Sequence, residues 1–355
     1  TRGGLVVNSK AVAVQGGLAL VGLVAAYITW QRQPELQAGE VFVLDITKNE
    51  LQTLRFDDDD AKTWVELQRD SDDNGSFIAL RLSGRAALEA KPTAPAPDAG
   101  KATPERVVRG SETARTLYER FAPLRATRAL GVLDATKLKD LGLVASKKHI
   151  TVVTGAGRRV FDIASAPLGA TDPYLRDQAD GRVFVVSRSI LSDFQTAATS
   201  LVERRLHSFR LEETDRVSVT AGSAKKEYRV ARSADGRGVE IAAIAAPDKP
   251  DPAARAWHER VLGLWPSESL GKGELPAEGE PQARLRLDYS AHGRNLGWLT
   301  IAEAAAPSLQ SVSSAAPAPK KVFYARSEFT LSWVKLSGDS EALVAEGVKL
   351  AGGKP

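Results

Sequence analysis

The chain has 355 residues, 43% of them apolar and 26% charged, so it can bury a sizeable core. Lys plus Arg number 48 against 44 Asp plus Glu. A formal charge of +4 is too near balance to mark a nucleic-acid binder, which needs basic residues massed on one face. The absence of Cys excludes disulfides, thiolate nucleophiles and Cys-ligated metals, and four His leave little for metal binding or acid–base work near neutral pH.

Residues 11–30, AVAVQGGLALVGLVAAYITW, carry no charge, and a helix of that length spans the ~30 Å hydrocarbon core of a bilayer. Tyr27 and Trp30 stand at one end, where amphipathic rings favour the headgroup boundary. Arg2 and Lys10 precede the segment with no acidic residue among them. By the positive-inside rule residues 1–10 stay in the cytoplasm and the body lies beyond the inner membrane, in the periplasm. A single transmembrane helix over 11–31, in contact with membrane lipid, is therefore expected. Val24-Ala25-Ala26 would also serve as the cleavage site of a secretory leader, but the chain carries the segment uncut, and the anchor is the preferred reading. With no Met anywhere, the natural start is expected before Thr1. Ala11, Gln15, Ala19, Gly22 and Ala26 recur at spacings of three and four, giving the helix a small-residue face suited to packing against another membrane helix.

Beyond the anchor, short runs rich in β-branched and aromatic residues alternate with single helical runs. VFVLDIT, LQTLRF, KTWVELQ and SFIALRL come first, separated by polar turns. A helix is predicted from Ser111, whose hydroxyl suits a cap, with Leu117, Phe121, Leu124 and Leu130 keeping a helical period. HITVVTG and RRVFDIA flank a glycine-containing hairpin turn, GRVFVVSR follows, and residues 189–209 read as one helix. RVSVT, KKEYRVAR and GVEIAAIA precede a helix near 251–264, and ARLRLDYS, NLGWLTIA and KVFYARSEFTLSWV close the chain. The unit, a few antiparallel strands and then one helix, recurs about every 70–90 residues. The fold class expected is α+β, with four units at 32–145, 146–212, 213–270 and 271–355 forming small sheets side by side. Residues 85–110 and 303–321, rich in Ala and Pro, read as excursions without a core, and the exposed edges of several small sheets would offer docking by strand addition.

Few constellations carry chemistry. Asp70-Ser71-Asp72-Asp73-Asn74-Gly75 opens like a calcium loop, but the closing Glu falls on Arg81, and a polar hairpin turn is the better reading. Gly155-Ala156-Gly157 leads into Arg158 and Arg159 rather than a helix, so it lacks the context of a phosphate cradle. No nucleophile motif accompanies His149, His207, His258 and His292, and Arg204-Arg205 and Lys225-Lys226 read as ordinary basic pairs. Catalytic, cofactor-binding and metal residues are accordingly not expected.

From Leu141 onward, LGLVASKKHITVVTGAGRRVFDIA and then PYLRDQADGRVFVVSRSILSDFQTAATSLVERRLHSF resemble a domain-of-unknown-function family, the accessory proteins of gliding-motility-type ABC exporters. The long helix of that family ends in a basic-Leu-x-x-Phe turn, here Arg204-Arg205-Leu206-His207-Ser208-Phe209. FVLDITKNELQTLRF and FYARSEFTLSWVKLS carry the likeness outward, so that it spans about residues 41–345. The resemblance implies a non-enzymatic scaffold or substrate-guiding subunit of an export complex. Its partners would be the transporter's permease and ATPase and a related periplasmic accessory subunit. A membrane-anchored envelope hydrolase and a cell-wall polymer binder are the rival readings.

Overall fold

Alternating burial selects the architecture: in the strand Gln282–Ala291, Leu285, Leu287, Tyr289 and Ala291 turn inward at every second position, as Val217, Val219 and Ala221 do in its neighbour. The structure, a computed structural model, describes residues 22–23, 39–83, 105–165, 171–233, 238–305, 321–338 and 340–353. Contacts divide the chain at residue 41, and Phe42–Pro355 is one compact unit. Its strands are β1 (Val41–Leu44), β2 (Leu51–Asp58), β3 (Thr63–Asp72), β4 (Gly75–Ser83), β5 (Arg106–Arg109), β6 (Leu124–Ala126), β7 (Arg128–Val132), β8 (Lys148–Thr154), β9 (Gly157–Ala164), β10 (Tyr174–Asp177) and β11 (Arg182–Val185). In the second half come β12 (Arg216–Ala221), β13 (Ala224–Arg232), β14 (Val239–Ala243), β15 (Pro266–Ser269), β16 (Gln282–Ala291), β17 (Arg294–Ala305), β18 (Lys321–Ser327) and β19 (Val334–Leu336). The helices are α1 (Glu112–Arg120), α2 (Ala135–Asp140), α3 (Arg188–Gln195), α4 (Ala197–Ser200), α5 (Pro252–Leu262) and α6 (Ser340–Leu350).

The α+β class and the antiparallel pairing are as expected, but the small sheets merge. One sheet of nine strands runs β5-β4-β3-β2-β8-β9-β10-β11-β7, and one of eight runs β14-β13-β12-β16-β17-β18-β19-β15; β1 and β6 form a separate pair. Pairing crosses the expected boundary at 145, because Leu54 and Phe56 of β2 lie opposite Val152 and Ile150 of β8 and bury the same face. It crosses again at 270, where β12 pairs with β16. Larger sheets leave fewer edges, and each of the four edges of the two large sheets is managed. Lys272 N–H bonds Val107 O across β5, and Asp251 N–H bonds Ile241 O across β14. β7 is bulged opposite Val183 and Phe184, and β15 begins on Pro266 with a shift in register before Glu268. Strand addition therefore finds two edges covered and two irregular.

Local signals explain the helices. Ser111 caps α1 through Ala114 N–H, and Asp251 caps α5 through Ala254 N–H at 2.9 Å with Pro252 in the first turn. The single helix predicted over 189–209 is instead α3, α4 and irregular chain. At the break Thr196 donates its hydroxyl back to Ser192 O at 2.9 Å and accepts at its own carbonyl from Ser200 Oγ at 2.9 Å; such local bonds compete with the helical ladder. The last four strand residues before Gly110 belong to β5 rather than to the predicted excursion, and α6 stands in a segment read as β-rich. Of the two excursions, 85–104 and 306–320 lie outside the described residues. So does the expected membrane segment with Ala11, Gln15, Ala19 and Ala26, apart from Gly22 and Leu23, which are helical and exposed. Among the described residues no helix is long and apolar enough to cross a membrane.

In the first half Phe194 of α3 stacks on Phe56 at 5.1 Å, and Tyr118 of α1 donates to Leu51 O at 2.5 Å. In the second half α5 and α6 share one core with β12, β13, β16 and β17. Gly347 makes that packing possible. A Cβ there would stand inside van der Waals contact of Trp257 Cζ2 and 2.6 Å from Leu285 Cδ1, both buried. Gly347→Ala is expected to destabilise by about 1–3 kcal/mol through overpacking, read as a lowered urea midpoint. An unchanged midpoint would mean that α6 does not seat on Trp257.

Candidate binding cleft

The two sheets meet at a seam made of two arginines. Arg106, at the start of β5, reaches Glu268 at 3.1 Å and Glu274 at 2.7 Å. Arg109, at its end, is buried between the rings of Phe77 at 4.0 Å and Phe329 at 4.6 Å, and is paired with Asp72. Residues 70–75 are thus the β3–β4 hairpin turn that sequence favours, with one of their acids committed to the seam. Asn74 Nδ2 donates to Glu328 O at 2.7 Å, and the chain after α4 is stitched to β5 by Glu203 N–H to Arg109 O at 2.9 Å.

Beside this seam opens a cleft of about 560 Å³. One wall is the chain from Arg204 to Glu212, irregular up to a 3-10 turn at Leu211–Glu213; the other is formed by the start of β14, the outer turns of α5 and the connection to Trp265. Its apolar lining includes Leu206, Phe209, Leu262, Leu264 and Trp265, the last an exposed indole with 56% of its surface free. The Arg204–Phe209 turn singled out in the sequence is therefore a wall of the recess: Leu206 and His207 are buried, whereas Arg205 is exposed.

The charges lining the cleft are four arginines and two glutamates. Arg205 is held by Glu203, with Nη2 2.7 Å from Oε2. Burial pushes the Glu203 carboxyl up, but its hydrogen bonds from the Arg205 side chain and from the Arg204 and Arg205 backbone outweigh that and hold it below its ordinary value. Arg255 donates to Glu259 at 2.9 Å. Arg204 lies 5.5 Å from the Trp265 ring centre and donates to Thr199 O at 3.3 Å, and Arg210 is exposed. Among the described residues neither Arg204 nor Arg210 forms an ion pair with a carboxylate, and Glu212 forms none with a cation.

His207 lines the cleft and is 4% exposed in its side chain. Its Nδ1 lies 3.0 Å from Glu328 Oε1, while Glu328 Oε2 accepts Trp298 N–H at 2.7 Å. Gly297 leaves the space this carboxylate fills, since a Cβ there would meet both oxygens at 2.6 Å. With Nδ1–H committed to Glu328, Nε2 is the remaining polar atom of the ring, and it has no partner among the described residues. The neighbouring Tyr289 ring, 5.3 Å away, is also buried, and burial together with Glu328 and Asp288 pushes its phenol well above the usual tyrosine range.

The other histidines lie in separate settings. His149 bonds Asp162 at 3.0 Å, His258 is buried in the second core, and His292 is exposed in the β16–β17 turn. Among the described residues no group of three or more His, Asp or Glu is placed to hold a metal ion. Sequence reasoning missed Arg210, Trp265, Glu328 and Phe329; the basic-Leu-x-x-Phe phrase is the signal that leads to the cleft. Comparison with known proteins finds no matching family model, no matching curated protein and no matching solved structure. The exporter-accessory resemblance accordingly rests on the quoted sequence phrases.

Proposed function

We propose that the protein is a membrane-anchored accessory subunit of an ABC-type exporter, a scaffold or substrate guide that works by binding and not by chemistry of its own. The observation that carries this reading is the seam: Arg106 and Arg109 clamp two large sheets into a single body, the kind of stiff platform on which other subunits can be arrayed. The charge-free span at 11–30, preceded by Arg2 and Lys10, supports a membrane anchor with the body on the periplasmic side. Anchoring helps such a subunit because confinement beside a partner raises its effective concentration to ~mM, at which weak contacts suffice.

Gentle detergent extraction of the tagged full-length chain at native expression is expected to recover a permease and an ATPase with it, and a reporter at the C-terminus is expected to read as exported. Repeated recovery of the chain alone, or a cytosolic reporter, would overturn the proposal.

A further inference from the structure

We infer that the cleft between residues 204–212 and α5 is a binding site for a small organic anion, a carboxylate joined to an apolar body. Its volume, about 560 Å³, is that of a small-molecule site, and its walls have the composition such sites share: apolar side chains with a few polar groups. Arg204 and Arg210 are two lining cations without a carboxylate partner, against Glu212 as one lining carboxylate without a cation, so the surplus charge favours an anion. Arg204 lies 5.5 Å from the ring centre of Trp265, more than half of whose surface is exposed, which puts a guanidinium beside an indole: one receives a carboxylate, the other the apolar group attached to it. Arg205 and Arg255 are already neutralised by Glu203 and Glu259 and frame the site without competing for the ligand.

His207 is buried in the lining, and its Nε2 has no hydrogen-bond partner among the described residues, while Nδ1 is fixed by Glu328. With Nδ1–H given to Glu328, Nε2 carries a lone pair and can only accept, so this ring is no partner for a carboxylate and the anion is left to Arg204 and Arg210. The inference does not depend on an exporter, since a small acid would bind an isolated chain equally well.

The test uses the full chain in nanodiscs of zwitterionic lipid at neutral pH, with empty discs subtracted, and the probe is sodium 4-phenylbutyrate. Calorimetry is expected to show single-site binding at least about tenfold tighter than for 4-phenylbutanol, 4-phenylbutylammonium or acetate, which remove in turn the charge, its sign and the apolar body. Arg204→Glu and Arg210→Glu should each weaken binding about tenfold, while Arg294→Glu, exposed at the start of β17 in the same body, leaves it unchanged. Titration should also shift tryptophan emission, and Trp265→Phe should abolish that shift. Equal binding of the alcohol overturns the site, as does affinity within about twofold of wild type in both cleft variants, or an equal loss in Arg294→Glu. Co-purification of a permease and an ATPase would be unaffected by any of these results.

Discussion

Trp257→Ala is expected to lower stability by about 3–5 kcal/mol, the largest loss from any one side chain in the second half of the protein. Trp257 is fully buried on α5 and touches the space left by Gly347 of α6. Its indole N–H donates to Leu343 O at 2.8 Å, so the ring fills the gap between two helices and also binds one to the other. Truncation opens a cavity that α6 cannot close, because Tyr228 still ties the end of that helix through Leu350 O at 2.9 Å. Trp257→Phe should cost less, since most of the apolar volume stays and only the hydrogen bond and part of the ring are lost. Urea denaturation at neutral pH reads both. A loss below about 1 kcal/mol for the alanine variant would show that the helix pair does not close on this ring.

The second large effect belongs to the neighbouring residue and appears only in acid. His258 is fully buried against Trp257 and Tyr228, and neither ring nitrogen has a hydrogen-bond partner among the described residues. Burial pushes its pKa down to about 4, with Asp251 pulling weakly the other way. The folded protein thus holds the neutral ring while the unfolded chain takes up a proton below about 6.5, so the unfolded state binds more protons and stability rises with pH across that interval. The contribution is complete above about pH 6.5 and fades as the pH falls towards 4, amounting to about 3 kcal/mol across the window. Denaturation midpoints of wild type and His258→Leu, compared from neutral pH to pH ~4.5, isolate this residue from other titrating groups. The leucine variant should show the shallower slope. Parallel slopes would place a protonated or hydrated imidazole in the core.

Much of the fold is legible in the sequence, and the rest is hidden for identifiable reasons. ARLRLDYS announces itself because a sheet with one buried face imposes a period of two, and HITVVTG, buried at three consecutive residues in its middle, reads as a strand through its β-branched residues instead. Ser111 and Asp251 mark helix starts because an oxygen-bearing side chain is what the free N–H groups of a first turn need. How strands from distant units join is not written in either pattern. The pairing of β2 with β8 depends on which buried faces match in three dimensions, and a repeat read along the chain suggests closed units where the molecule makes continuous sheets. The cleft is partly legible. Leu206 and Phe209 belong to a phrase that stands out, but Trp265 reaches the cleft, and Glu328 reaches His207 in its wall, from remote sequence positions, and Arg204 reads as half of a basic pair until Trp265 is placed beside it.

The cover over β5 has a bearing on how the protein is made. The strand is complete once residue 109 has emerged, yet the backbone group that closes its outer side belongs to Lys272, and the carboxylates that hold Arg106 belong to Glu268 and Glu274. During synthesis the nine-stranded half therefore waits with a bare, pairing-competent border until the later half arrives, a hazard when many nascent chains are made close together. A chain that stops short of residue 268 would keep that border for life, and its natural fate is to zip onto its own copies.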